Sequence, residues 1–310
     1  MQSVFPIFVS SGRAGLTLLE VIFESHPEIA VAHEPRFLAP MVRQRRRYEG
    51  SGGIDLDRFT RDLFGYGNFR RLGLSREEVV SALAEGQPEG FADAVRCVLA
   101  LYAASRNKSR YAVKSPLAVS YLEPIAEVFP EVRFVHLVRD GRDVVLAYLE
   151  RDKGPSSIAE GAFHWRLRTS RGHEAGLRLG PERYRHYKYE DLVDDPEGTV
   201  RQICEFLDLD YDPVMLDYHE TAANFLAGAK NPKDHQHLTL APTKGLIDWR
   251  NTMSAEDLAL FETIGGDLLA ELGYERAAGR RVPRLVVAVE WLRWQMRRIT
   301  WRIKWRLTRR

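Results

Sequence analysis

The segment PIFVSSGRAGLTLLEVIFESHPEIAVAHEPRF, residues Pro6–Phe37, contains the pattern that decides the fold. It opens with the apolar run Pro6–Ser10, passes through a turn with two glycines, and enters an apolar helical pattern over Leu16–Glu24. A second apolar run, Ile29–Ala32, ends just before Glu34. Strand, turn, helix and strand in this order predict a βαβ unit. The turn suits an anion, because the first amides of a helix point outward and the helix dipole favours negative charge.

The alternation of short apolar runs and helical patterns continues along the chain. Further strands are predicted at Tyr111–Lys114, Arg133–Val138 and Arg185–Glu190. Helical patterns lie near residues 55–64, 75–84, 91–105, 119–129 and 196–209. Short strands that alternate with helices predict an α/β fold, a parallel sheet with helices on both faces. In such sheets ligands bind beyond the carboxyl ends of the strands, where Glu34 and Lys114 stand.

The composition is that of a soluble globular chain, since 45% of its 310 residues are apolar and 28% are charged. Cys97 and Cys204 lie far apart and no secretory signal pattern precedes the first strand, so we expect reduced cysteines and a cytoplasmic location. No apolar run approaches the roughly 20 residues of a membrane span. His235 and His237 lack a neighbouring cysteine or further histidine, so no metal site is expected.

The C-terminal segment differs in charge from the rest of the chain. Residues Arg280–Arg310 include eleven Lys or Arg and one acid, Glu290, which is a net charge of +10. The whole chain carries +2, so the remaining residues together carry −8. A basic tail on an acidic body predicts an anionic surface as the partner of the tail.

The same segment is amphipathic. Its two apolar stripes are Trp291, Trp294, Trp301 and Trp305 on one helical face, and Leu292, Met296, Ile299, Ile303 and Leu307 on another. A helix rich in arginine and tryptophan is typical of a membrane interface, so we predict that residues 279–310 form a helix on the inner face of a membrane. The tryptophan face argues against a nucleic acid as the partner. The alternative is that one stripe packs on the body or on a second subunit, as in a homodimer.

Two segments carry the residues that an anionic ligand requires. In the turn, Arg13 supplies a charge-assisted hydrogen-bond donor and Thr17 a hydroxyl. Further on, Arg139 and Arg142 follow a strand at the start of a helix, and arginine forks suit a second phosphate. The alternatives are an ordinary strand–helix turn, and pairing of the arginines with the aspartates that flank them.

Four motifs, in order over residues 5–275, resemble those of the sulfotransferases that use 3′-phosphoadenosine 5′-phosphosulfate (PAPS). The turn resembles their 5′-phosphosulfate loop, Arg/Lys-Ser-Gly-Thr-Thr, and RDGRD at Arg139–Asp143 resembles their 3′-phosphate segment. YEDLVDDP at Tyr189–Pro196 resembles the segment whose tyrosine touches adenine. KGLIDWRN at Lys244–Asn251 resembles Lys-Gly-x-x-Gly-Asp-Trp-Lys with one residue fewer.

The resemblance implies a P-loop-like sulfotransferase domain over residues 1–278, followed by the basic helix of residues 279–310. It implies transfer of a sulfuryl group from PAPS to a hydroxyl acceptor, which is a glycan, a lipid-linked sugar or a protein tyrosine. By resemblance the PAPS-binding residues are Gly12, Arg13, Ala14, Gly15, Leu16, Thr17, Arg139, Arg142, Tyr189, Lys244 and Gly245.

The resemblance also implies catalytic residues. HPEIAVAHEPR is similar to the segment of tyrosylprotein sulfotransferases that carries their base, which makes Glu34 the base and Arg36 an acceptor-binding residue. YAVKSPL is similar to the strand that carries a catalytic lysine, here Lys114, and Arg13 is expected near the bridging oxygen. Cytosolic small-molecule sulfotransferases have a histidine where this chain has Pro116, which favours Glu34.

Other features stay open at this level. Thr239 and Thr243 are both candidates for a hydroxyl that assists the transition state. The run Arg43–Arg47 either contacts an anionic acceptor or is solvated surface. Three positions depart from the motifs by losing a hydroxyl: Ala14, Leu16 and Ala147.

Two rival functions stay open. A non-catalytic, membrane-associated family member with a degenerate PAPS site would have the same three losses. A nucleotide-dependent kinase is disfavoured, because the turn lacks the Lys-Ser/Thr pair that binds phosphate and magnesium.

Overall fold

The structure is a computed structural model that describes residues 4–50, 53–151, 154–219, 222 and 248–307, with only the backbone for 301–307. The chain divides into two compact units. Unit 1 comprises Met1–Ser10, Gly15–Val138 and Arg171–Lys244, and unit 2 comprises Ser11–Ala14, Arg139–Ser170 and Gly245–Arg310. Lys244, Gly245, Thr239, Thr243, His235 and His237 lie outside the described residues.

The strands within the described residues all belong to unit 1. They are β1 (Phe5–Val9), β2 (Ile29–His33), β3 (Glu49–Gly50), β4 (Gly53–Ile54), β5 (Arg110–Lys114), β6 (Val132–Val138) and β7 (Tyr184–Lys188). Five of them form a parallel sheet in the order β2-β5-β1-β6-β7, while β3 and β4 form a separate antiparallel pair. The predicted parallel sheet is confirmed.

Helices cover both faces of the sheet in unit 1, as the sequence predicted. Side chains alternate along β1, so Phe5, Ile7 and Val9 join one apolar cluster, while Val4 and Phe8 join the other. Burial on both faces explains why the strands read as continuous apolar runs. The helices of unit 1 are α1 (Leu16–Glu24), α2 (Leu38–Arg43), α3 (Leu56–Gly65), α4 (Arg76–Gly86), α5 (Phe91–Ala104), α6 (Leu122–Val128), α9 (Tyr189–Asp194) and α10 (Pro196–Phe206).

Unit 2 is helical. Its elements are α7 (Gly141–Leu149), the first part of α8 (Ile158–Leu179), α11 (Trp249–Thr252), α12 (Ala255–Glu271) and α13 (Arg284–Leu307). The predicted C-terminal helix is α13, and it belongs to the same compact unit as residues 139–170. No helix within the described ranges is both long and apolar enough to cross a bilayer.

Local signals account for several boundaries. Ser75 and Glu78 form a capping box at the start of α4. Asp195 caps α10, which has Pro196 at its first position. The predicted strand Arg185–Glu190 was too long, because β7 ends at Lys188, opposite Val138, the last residue of β6.

Close packing in unit 2 depends on Gly141. A Cβ atom at this position would lie 2.5 Å from the Trp165 ring and 2.6 Å from the Phe261 ring. The two rings pack with their centroids 5.6 Å apart. The core of unit 2 therefore has no room for a methyl group here.

We predict that Gly141→Ala lowers the free energy of unfolding by about 1–3 kcal/mol, because the added methyl group displaces Trp165 or Phe261. The matched control is Gly65→Ala at the end of α3, where a Cβ atom meets nothing within 4 Å. The control should change stability by less than about 1 kcal/mol. Urea unfolding measures both, and equal effects would contradict the packing argument.

Candidate active site

Two neighbouring strands of unit 1 bring Glu34 and Lys114 together. His33, the last residue of β2, is paired with Lys114, the last residue of β5. Glu34 follows His33, and its backbone amide donates a hydrogen bond to the Lys114 carbonyl oxygen at 2.9 Å. The Lys114 Nζ atom donates to Glu34 Oε1 at 3.1 Å. Strand register alone thus places the two predicted catalytic side chains at one edge of the sheet.

The backbone of Glu34 is strained. Its φ angle is +44°, in the left-handed region that residues with a side chain rarely occupy. Such a conformation costs on the order of 1–3 kcal/mol and persists only where its surroundings impose it. Here the strand end and the bond to the Lys114 carbonyl impose it. Strain at a charged residue on the carboxyl edge of a parallel sheet is typical of a functional position.

Sequence reasoning missed Glu20, a third member of this cluster. Glu20 Oε2 lies 3.5 Å from Lys114 Nζ, and Glu20 Oε1 lies 2.7 Å from His33 Nδ1. Only 3% of Lys114 is exposed, so this buried ammonium requires the carboxylates on both sides of it. The available signal was that Glu20 is the one acid in the apolar run Leu16–Phe23 of α1.

The charges of the cluster keep Glu34 ionised. Burial by itself would raise the pKa of Glu34, but the charges of Lys114, His33 and Arg36 outweigh it and lower that pKa from 4.5 to about 2. Arg36 Nη2 lies 3.6 Å from Glu34 Oε2. The cluster therefore holds a carboxylate that is ready to accept a proton only when its nearest cation moves away.

The turn after β1 begins in unit 2, where side chains of α7 and α8 hold its backbone. Tyr148 Oη and Arg168 Nη1 each donate to the Ser11 carbonyl oxygen at 3.1 Å. A Cβ atom on Gly12, whose φ is +95°, would lie 2.3 Å from Tyr148 Oη. Glycine is thus required at position 12 by both backbone angle and space. The sequence had not singled out Tyr148 or Arg168.

Arg139 also contacts this turn. Its Nη1 atom donates to the Arg13 carbonyl oxygen at 3.4 Å, and its Nη2 atom lies 3.8 Å from Asp143 Oδ2. Arg13 has φ +55°, a second strained non-glycine residue. Arg139 and Arg13, which the sequence placed in two different anion-binding segments, are thus in contact within unit 2.

The turn ends in unit 1 against Tyr189. Gly15 precedes α1 with φ +79°, and a Cβ atom there would lie 2.2 Å from the Tyr189 ring. The loop glycine and the tyrosine of the third motif are therefore in contact. Leu16 is buried in the apolar cluster around Phe8, which explains why an apolar residue stands there in place of a hydroxyl.

Arg142 is fully engaged within unit 2. Its Nε and Nη2 atoms donate to the two Asp140 carboxylate oxygens at 3.0 and 2.7 Å, and its Nη1 atom donates to Glu262 Oε1 at 2.8 Å. The guanidinium lies 3.7 Å from the centroid of the Trp249 ring. Only 1% of Arg142 is exposed. This is the Arg–Asp pairing that the sequence left open as an alternative to phosphate binding.

In the part of the chain that the structure describes, no group of three or more His, Cys, Asp or Glu side chains could hold a metal ion.

The predicted basic run, Arg43–Arg47, lies at the end of α2 and directly after it. Arg43 lies over the Tyr121 ring at 5.7 Å, and Arg45 Nη2 donates to Glu127 Oε2 at 3.4 Å.

The family model described as "Sulfotransferase family" matches residues 6–213. A "Protein-tyrosine sulfotransferase" of Drosophila melanogaster is 24% identical over 213 residues, which are 67% of this chain and 38% of that protein. A "Putative protein-tyrosine sulfotransferase" of Caenorhabditis briggsae is 24% identical over 283 residues, 86% of this chain and 88% of that protein.

A solved structure is similar over most of its length. The sulfotransferase domain from the olefin synthase of Synechococcus PCC 7002 is 25% identical, with a TM-score of 0.56. The match covers 84% of this chain and 93% of that domain. The match to the Drosophila protein, in contrast, spans only about two fifths of that protein.

We predict that the stabilising effect of Glu34 depends on pH. A pKa lowered from 4.5 to about 2 stabilises the fold at pH values above 4.5, and the stabilisation is lost as the pH falls through about 2. At pH 7, Glu34→Gln should therefore be less stable than the wild type by about 1–3 kcal/mol. The difference should shrink between about pH 5 and pH 2.

Urea unfolding at a series of pH values measures this difference. The control is Glu28→Gln, which removes an exposed glutamate and should leave stability nearly unchanged at every pH. A Glu34→Gln difference that stays constant down to pH 2 would contradict the ion-pair interpretation.

Proposed function

The chain belongs to the sulfotransferase family, and we propose that it transfers a sulfuryl group from PAPS to a hydroxyl acceptor, with Glu34 as the base. The observation that carries this proposal is the Lys114–Glu34 pair, 3.1 Å apart at the carboxyl edge of adjacent parallel strands. The two relatives described above are named as protein-tyrosine sulfotransferases, one of them putative, so their names lend no support to a non-catalytic role.

The proposed roles follow from charge. Bound PAPS would supply the sulfuryl group, whose bond to the phosphate oxygen breaks as the acceptor oxygen bonds to sulfur. Glu34 takes the proton of the acceptor hydroxyl on its carboxylate. Lys114 and Arg13 stabilise the negative charge that develops on the departing phosphate oxygen. Sulfuryl transfer then depends mainly on positioning and on charge stabilisation, as phosphoryl transfer does.

Glu34 requires a change in its surroundings to act as a base. With Lys114 at 3.1 Å its pKa is about 2, which makes it a weak proton acceptor. If Lys114 Nζ turns from Glu34 towards a phosphate oxygen, Glu34 loses its nearest cation and its pKa rises. Glu20 stays beside Lys114 and keeps the buried ammonium partnered. In this proposal, the binding of PAPS raises the pKa of Glu34 and makes it a better proton acceptor.

The residues proposed to hold PAPS are those of the turn Gly12–Thr17 with Arg139 and Tyr189. They fit an anionic nucleotide, because the turn precedes the N-terminus of α1 and carries Arg13. The losses at Ala14, Leu16 and Ala147 remove hydroxyls but leave backbone amides. Lys244 and Gly245 complete the proposed set. Arg142 we assign a structural role, because its N–H groups already bond to carboxylates.

The proposed acceptor is a hydroxyl group, and the names of the relatives favour a protein tyrosine. Arg36, 3.6 Å from Glu34, is proposed to contact the acceptor. Glycans and lipid-linked sugars are the alternatives. Sulfate transfer from labelled PAPS to a panel of all three classes distinguishes them.

We predict that 3′,5′-ADP, the product form of PAPS, binds at least about tenfold more tightly than ATP in the absence of magnesium. Arg139→Gln should weaken this binding about tenfold or more, through loss of a charge-assisted contact. Calorimetric titration measures both. The control is Arg201→Gln, which removes an exposed arginine that pairs with Glu197 and should bind as the wild type does. Preference for ATP with magnesium would support a kinase instead.

We predict that Glu34→Gln and Lys114→Met each lower turnover by about 10²–10⁴, the usual effect of removing a base or an electrostatic group. Glu28→Gln serves as the control and should turn over normally. Because Lys114 is buried, thermal unfolding of each variant checks that the chain has folded. A folded variant with unchanged turnover would refute the assigned role.

A further inference from the structure

Helix α13 packs on unit 2 through one face. The Trp294 side chain is 7% exposed, and its ring stacks on Phe163 of α8 with the centroids 5.3 Å apart. On the same side, Arg297 Nη1 donates to Glu160 Oε2 at 2.7 Å, and Arg298 lies over the Trp294 ring at 4.5 Å. This face of the helix is thus already occupied by unit 2.

The opposite face of α13 is apolar and exposed. We call it the outer stripe, and its members are Leu285, Val289, Leu292, Met296 and Ile299, which are 76, 40, 54, 59 and 54% exposed. Their spacing of four, three, four and three residues places them on one side of a helix. Trp294, midway between Leu292 and Met296 in sequence, points to the other side. Contiguous exposed apolar surface of this kind marks an interaction site.

The charges around the outer stripe identify its partner. Residues Arg280–Arg310 carry a net charge of +10, with Glu290 as the one acid. Arg293, beside the stripe, is 65% exposed in its side chain. A second copy of the helix would bring the same positive charge against this face, which is unfavourable. A nucleic acid would neutralise the charge but leave the apolar stripe in water. An anionic lipid surface satisfies both requirements, because acyl chains cover the stripe and headgroups neutralise the arginines.

We propose that α13 binds along the surface of an anionic membrane, with the outer stripe between the headgroups and the arginines at their level. The helix lies in the interface and does not cross the bilayer, because its inner face is packed on Phe163. The proposal goes beyond sulfuryl transfer and does not depend on it, since it rests only on contacts, exposure and charge in unit 2.

The test is flotation of the full chain with vesicles of phosphatidylcholine, alone or with about one third phosphatidylglycerol. We expect flotation with the anionic vesicles only, and less of it at high salt. The double variant Leu292→Gln with Met296→Gln should bind the anionic vesicles at least about tenfold more weakly. The matched control is Leu177→Gln with Val80→Gln, which removes side chains that are 63 and 47% exposed elsewhere and should float as the wild type does.

Thermal unfolding of both double variants checks their folding independently of vesicles and of enzyme activity. A wild-type chain that does not float with anionic vesicles overturns the proposal, as does an outer-stripe variant that floats as well as the control. Sedimentation without lipid tests the alternative that a second copy of the chain binds the outer stripe. If the outer-stripe variant changes a dimer to a monomer, the stripe binds a second copy and the membrane proposal fails.

Discussion

The buried ammonium of Lys114 is the constraint on which the candidate site depends. A charge that is 3% exposed is tolerated only with partners, and here Glu34 and Glu20 lie at 3.1 and 3.5 Å. The three residues of this cluster come from three elements, since Lys114 ends β5, Glu34 follows β2 and Glu20 is on α1. Parallel pairing of β2 with β5 fixes the first two, and packing of α1 on the sheet fixes the third. The strained φ of Glu34 is a local cost of this arrangement.

The two arginines of the RDGRD segment make different contacts. Arg142 bonds to Asp140 and to Glu262, which lies 120 residues further along the chain. Arg139 instead bonds to the carbonyl oxygen of Arg13 in the turn after β1. Two arginines of the same chemistry, three positions apart, therefore have different partners. The difference arises because Arg142 lies on the buried face of α7 and Arg139 precedes the helix.

In the C-terminal helix, one face is packed and the other is exposed. Its sequence contains two apolar stripes, and composition alone suggests that the tryptophans lie outward at a membrane. In the structure Trp294 packs on Phe163, while Leu292, Met296 and Ile299 are exposed. Aromatic stacking and the bond of Arg297 to Glu160 select the inner face. The outer stripe that remains exposed is aliphatic and flanked by arginines, and Trp291 beside it is 45% exposed.

Periodicity and order along the chain determined the α/β fold, the five strands of the parallel sheet and the candidates Glu34, Lys114 and Arg139. These are local properties, because burial on both faces makes a strand continuously apolar and parallel strands end at a common edge. Only tertiary structure decided the rest: that Glu20 partners Lys114, that Tyr148 and Arg168 hold the turn at Ser11, and which face of α13 is exposed. Each of these depends on contacts between residues far apart in the chain, whose geometry no local pattern encodes.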